Sequence, residues 1–137
     1  MKGINENIVD RVLRDIEYID NNGIEYWYAS DLMQVLQYEN WNNFRKNIEK
    51  AKWSCGLSGN KIDRHFINDG KKIIMKNNRG IVINDLILSR FAVYLTIMSC
   101  DPKKDIVGIM QDYFFKIFLK IKSIKDSDNT KLYKGDF

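Results

Sequence analysis

Apolar positions recur along this chain with two periods, and the switches between them sketch its elements. Ile8, Val9, Val12, Leu13, Ile16 and Ile19 fall at helical spacing. Asn21-Asn22-Gly23 then signals a turn, and Ile24-Glu25-Tyr26-Trp27-Tyr28 reads as a strand. The end of the first helix either continues or converts to a strand pairing with 24–28, and the pattern leaves that boundary open. Ser30 suits the N-cap of a short helix, Asp31 to Gln37, with Asp31 at its positive start. Leu32, Val35 and Leu36 form its apolar face. Tyr38 and Glu39 make a tight turn, and Asn40 caps a helix from Trp41 to about Cys55. Trp41, Phe44, Ile48, Ala51 and Cys55 are spaced three and four apart, which is one stripe. At about 100° per residue, the opposite face carries Asn42, Asn43, Lys46, Lys50 and Trp53.

Gly56 and Gly59 mark a loop, and Arg64 to Asn68 fits no single pattern. Lys71 to Met75 and Ile81 to Ile83 read as strands joined by the basic tip Lys76-Asn77-Asn78-Arg79-Gly80. Asn84 or Asp85 caps a helix from Leu86 to Cys100, apolar on nearly every side and therefore central. Asp101-Pro102 reads as a helix start with proline at its first position. The last helix follows to about Ile121, with Ile106, Met110, Tyr113, Phe114, Ile117, Phe118 and Ile121 as its seam. The expected fold is α+β and mainly helical. Residues 1–121 form one domain, with small β-hairpins around the helix 86–100, and residues 122–137 form a polar tail.

Composition narrows the class. A chain of 137 residues fits one domain. Its 45% apolar content, with seven Phe, seven Tyr and three Trp, excludes disorder throughout. Two cysteines make no disulfide framework and point to a reduced, cytoplasmic setting. The first residues lack a signal peptide's apolar run. Leu86 to Cys100 is too short to cross a bilayer and carries Arg90. No membrane association is expected.

The net charge of +4 conceals an asymmetry. Residues 1–40 carry three basic and eight acidic side chains, whereas 41–80 carry ten basic and three acidic. Two helices joined by a short turn resemble a helix-turn-helix. The second displays Asn42, Asn43, Lys46 and Lys50, and the hairpin adds Lys71, Lys72, Lys76 and Arg79, as a wing would. Asparagine can bond bidentately to adenine, and lysine reaches phosphates or guanine. DNA is therefore the candidate partner, with single- and double-stranded forms unresolved. The plainer reading is a solvated basic surface.

Other residues carry weaker chemistry. Trp53, on the polar face, is expected to pack under the 56–70 loop; the alternative is a platform for an unpaired base. Cys55 and His65 invite a nucleophile–base pair, but no third group orients them, and a core thiol with a half-buried histidine is the plainer reading. One histidine and two distant cysteines are too few for a zinc site, and no cofactor motif is present. Arg90, inside an apolar run, is the candidate for a buried functional contact. Tyr113, Phe114 and Phe118, with Phe115 and Leu119, give the last helix aromatic surface on more than one side, fit for a homodimer or another protein partner.

The string EYWYASDLMQVLQYENWNNFRKNIEKAKWSCGLSG, then RHF, NDLILSRFAVYL and DPKKDIVGIMQDYF, resembles the DNA-damage-inducible protein D (DinD) family. That family is related to the BRO-N type domain of viral and phage antirepressors. The likeness runs from about Gly23 to Phe115. It implies a non-enzymatic, DNA-binding protein of bacteria, phages or mobile elements. The DinD branch is tied to the SOS response and to a RecA-type recombinase on single-stranded DNA; antirepressors act on repressors. Relatives often have glycine where this chain has Gln37, so the inter-helix turn is expected to differ. They also carry a long C-terminal half, and a recombinase contact made there would not transfer to this chain.

Overall fold

The computed structural model describes residues 2–128, with side chains placed for 8–126. Six helices and four strands follow one another among the described residues. They are α1 (Lys2–Asp15), β1 (Tyr18–Ile19), β2 (Glu25–Tyr28), α2 (Ala29–Val35), α3 (Trp41–Leu57), α4 (Ile62–His65), β3 (Phe66–Lys76), β4 (Arg79–Leu88), α5 (Arg90–Ser99) and α6 (Asp105–Asp128). The α+β class stands.

The strands form one antiparallel sheet in the order β1-β2-β4-β3. The open boundary after the first helix resolves as a conversion, since α1 ends at Asp15 and Tyr18 pairs with Tyr26. Asp20 closes the turn, its Oδ1 accepting from the amides of Asn22 (2.8 Å) and Ile24 (2.9 Å). Trp27 Nε1 donates to the Leu13 carbonyl at 2.7 Å. That carbonyl is one the end of α1 leaves without a helical partner, so the indole fastens α1 to the sheet.

The β3–β4 hairpin is longer than its sequence pattern indicated. Asn77 and Asn78 both take positive φ, +53° and +63°, in a two-residue turn matched to strand twist. The five-residue tip thus shrinks to two. A bulge interrupts β3 between Asn68 and Gly70. Leu86 to Leu88, read in sequence as the start of a helix, complete β4, with Leu88 paired to both Trp27 and Phe66. Leu86 and Leu88 are buried and Ile87 between them is half-buried, so this end of the strand loses its polar alternation and mimics an apolar helix.

The cap of α5 is accordingly Ser89, whose Oγ accepts from the Ala92 amide at 3.1 Å, and neither Asn84 nor Asp85. The helix packs on α3, α4, α6 and the sheet, burying Ala92, Val93, Thr96 and Ile97. Tyr94 and Met98 remain exposed, so it is central without being enclosed. Asp101-Pro102 forms a turn, with the helix starting later at Asp105; Asp101 Oδ1 accepts from the Lys103 amide at 3.0 Å. A Cβ at Gly108 would lie 3.0 Å from the Pro102 carbonyl oxygen, so α6 approaches that turn as only glycine permits. Gln111 Nε2 donates to the carbonyls of Ile97 (2.9 Å) and Cys100 (3.0 Å), completing the end of α5. The last helix runs past Ile121 to Asp128; the polar residues beyond lie outside the described ones.

Candidate nucleic-acid interface

The α2–α3 connection is closed by backbone. Gln37 sits at φ +62°, its amide bonded to the Gln34 carbonyl (3.0 Å) and the Tyr38 amide to the Met33 carbonyl (3.0 Å). These are the two bonds of a Schellman closure, whose left-handed position favours glycine. Asn40 then caps α3 as expected, Oδ1 accepting from the Asn43 amide at 3.0 Å. The α5–α6 turn braces this connection: Lys104 Nζ donates to the Gln37 carbonyl at 3.0 Å and lies 4.7 Å from the Tyr38 ring centre. Phe44, Ile48, Ala51 and Cys55 are buried, and Asn42, Asn43, Lys46 and Lys50 face out.

Ser30 does not cap α2; Tyr28 holds that position without a side-chain bond. Ser30 is buried, donating from its amide (3.0 Å) and hydroxyl (2.6 Å) to Asp85, which has no solvent exposure. Lys72 Nζ also donates to Asp85, at 2.8 Å, and lies 4.0 Å from the Tyr28 ring centre. Burial works against the Lys72 charge, but the Asp85 carboxylate outweighs it and holds the ammonium's pKa above the ordinary range. Burial raises the neighbouring Asp31 carboxyl, with Lys72 opposing.

Lys76 Nζ donates to the Glu39 carbonyl at 2.7 Å and lies 3.3 Å from its carboxylate. That contact sets the wing tip beside the first turn of α3. Of the four wing cations named from sequence, Lys72 and Lys76 are thus committed within the protein. Lys71 and Arg79 are exposed and, like Lys46 and Lys50, form no ion pair among the described residues. The carboxylates Asp85 and Glu39 were missed from sequence. Their partners lie 13 and 37 residues away, and no local pattern signals such pairs.

The remaining candidates separate. Arg90 is not a buried contact: its side chain is 73% exposed and pairs with Glu25, with Nη2 2.8 Å from Oε1. This hydrogen bond lowers the Glu25 pKa. Cys55 is buried and its thiol pKa is raised by burial. His65 Nδ1 instead meets Ser89 Oγ at 2.7 Å, the hydroxyl that caps α5. Burial also pushes the Cys100 thiol up to about 11. Trp53 does not pack under the following loop; it is 72% exposed. With Gly56, Leu57 and Ile62 it borders an apolar recess of about 200 Å³. Tyr113 and Phe114 pack against the core, whereas Phe118 is exposed. Among the described residues, no three His, Cys, Asp or Glu gather as a metal site, and no helix is long and apolar enough to cross a membrane.

Residues 15–112 match the family described as the BRO family, N-terminal domain. DNA damage-inducible protein D of Escherichia coli (strain K12) is 34% identical over 122 residues, 89% of this chain and 44% of that protein. The chain therefore spans less than half the length of that curated relative. No solved structure matches.

Proposed function

The chain belongs to the BRO family N-terminal domain, and on that premise we propose a non-enzymatic regulator that binds DNA through α3 and the β3–β4 wing. The observation that carries this reading is the Lys76–Glu39 contact, which joins the wing tip to the start of α3. Asn42, Lys46 and Lys50 follow one another a turn apart on α3, and the wing tip, with Arg79 paired to Lys76 in the strand register, comes beside its first turn, while Lys71 is exposed further along β3. The cations neutralise phosphates and the asparagines read base edges. Lys72 and Lys76 position the wing. The likeness to a damage-inducible protein supports a role in the response to DNA damage, and the family supports control of phage or mobile-element genes.

The test is fluorescence anisotropy with matched single- and double-stranded oligonucleotides at two salt concentrations. Affinity should fall steeply with salt, and a Lys46→Glu/Lys50→Glu variant should lose it. Unchanged binding by that variant removes α3 from the interface.

A second reading rests on α6. Phe115, Phe118, Leu119, Ile121 and Ile124 are all exposed along its outer half. Such a surface suits a protein partner, namely a second copy, a RecA-type recombinase filament or a repressor. A mass that does not change with concentration argues against the second copy.

A further inference from the structure

Tryptophan is highly buried on average. Trp27 is buried here and Trp41 half-buried, yet Trp53 is 72% exposed and Leu57, one turn on, is 75% exposed. Their placement follows a pattern. Lys46, Lys50, Trp53 and Leu57 recur at intervals of four, three and four on α3, which makes them neighbours in one line. Two ammonium groups lead to an indole and then an isobutyl group. Glu49 flanks the line, but Lys52 answers its charge at 3.4 Å.

An apolar protein partner would cover Trp53 and Leu57 but would gain nothing from the two cations. A nucleic-acid strand offers both complements, phosphates for the lysines and a flat apolar base for the indole. From Lys46 to Trp53 is about 10 Å along the helix axis, short enough for one strand to meet both lysines and the indole. The recess beside the indole, about 200 Å³, is bounded by Gly56, Leu57 and Ile62 and presents no polar side chain. A hypothetical Cβ on Gly56 would come within 3.2 Å of Ile62 Cδ1, so glycine keeps this wall close and low. Such a surface can hold a base by its face and has nothing with which to read its edge. Bases inside a duplex already stack on each other and present no free face.

We infer that Trp53 is a stacking platform for an unpaired nucleobase, with Lys46 and Lys50 holding phosphates of the same strand. The lysine half of this inference rests on the DNA-binding reading of α3, and the tryptophan half adds strand selectivity to it.

The experiment titrates the whole chain with a short oligothymidylate, following tryptophan emission and anisotropy. The matching oligouridylate, run alongside, tells DNA from RNA, and a duplex of equal length is the control. Binding of the single strand should quench the emission. Trp53→Ala should remove most of that quench and weaken single-strand binding between about fivefold and a hundredfold, leaving duplex affinity unchanged. Trp53→Tyr keeps an aromatic face and should retain most of the single-strand affinity. Equal melting temperatures will exclude a folding defect at this exposed position. Wild-type affinity for oligothymidylate in Trp53→Ala overturns the inference, as does single-strand binding without quenching. Salt-dependent duplex binding with no single-strand binding overturns it and leaves the DNA-binding reading of α3 intact. No binding of either form overturns both.

Discussion

Lys72 reaches across the β3–β4 hairpin to Asp85, a carboxylate with no solvent exposure, and closes the ion pair at 2.8 Å. Asp85 also accepts from the amides of Ser30 and Leu86 and from the Ser30 hydroxyl. Four donors therefore converge on one buried group, each of which would otherwise lose a partner. Asp85→Ala should cost about 3–5 kcal/mol, because it strands the lysine and two backbone amides. Lys72→Met should cost less, about 2–3 kcal/mol, since that side chain is 36% exposed. Urea unfolding measures both. A loss below about 1 kcal/mol in either would show that water satisfies this site.

The same geometry divides the wing cations. Lys71→Ala and Arg79→Ala should each reduce the slope of log affinity against log salt by about 0.9, with stability unchanged. Lys76→Ala should loosen the wing from Glu39 and lower affinity, with little effect on that slope. Equal slope changes in all three variants would put Lys76 on phosphate as well.

Gln37 holds a left-handed conformation at the end of α2 and its side chain is exposed. Gln37→Gly should raise stability by roughly 0.5–1 kcal/mol by relieving Cβ strain, net of glycine's added freedom when unfolded. Gln37→Val should lower stability. A thermal melt in which glycine destabilises would mean the glutamine side chain makes a stabilising contact.

The Glu25–Arg90 pair predicts a pH dependence. Arg90 holds the Glu25 pKa below its ordinary value of 4.5, so the pair's contribution is present at neutral pH. It is lost as pH falls below that value through the lowered one. Glu25→Gln should cost less than about 1 kcal/mol at pH 7, because the arginine is largely exposed. It should flatten the acid limb of stability against pH. An unchanged acid limb would assign it to other carboxylates.

Local rules made much of this fold legible. The stripe Phe44, Ile48, Ala51 and Cys55 is a period of 3.6 written by burial, and Asn40 caps it by a rule acting over three residues. The misread boundaries lie where one pattern serves two structures. Leu86 and Leu88 are buried and Ile87 between them half-buried, which leaves an apolar run with no alternation, and only Ser89 signalled where the helix starts. At the candidate interface, exposure of Asn42, Asn43, Lys46 and Lys50 followed from the same wheel. The commitments of Lys72 and Lys76 did not, nor did the failure of the 56–70 loop to cover Trp53, which the wheel had set on the same outer face. These depend on which distant segments arrive beside them, which no local spacing encodes.

The bulge and lysines of β3 bear on how this protein behaves when concentrated. At eleven residues β3 is the longest strand, it lies at the sheet's edge, and its outward face carries Ile73 and Met75. An open edge of that kind is a template for another molecule's strand. The Asn68/Gly70 irregularity breaks its regular spacing, and Lys71, Lys72 and Lys76 charge it. The wing's cations therefore keep copies apart, with Lys71 facing outward and Lys72 and Lys76 paired with Asp85 and Glu39. Replacing several of them with apolar residues should promote aggregation, so variants made to probe this face are better neutralised with glutamine than with leucine.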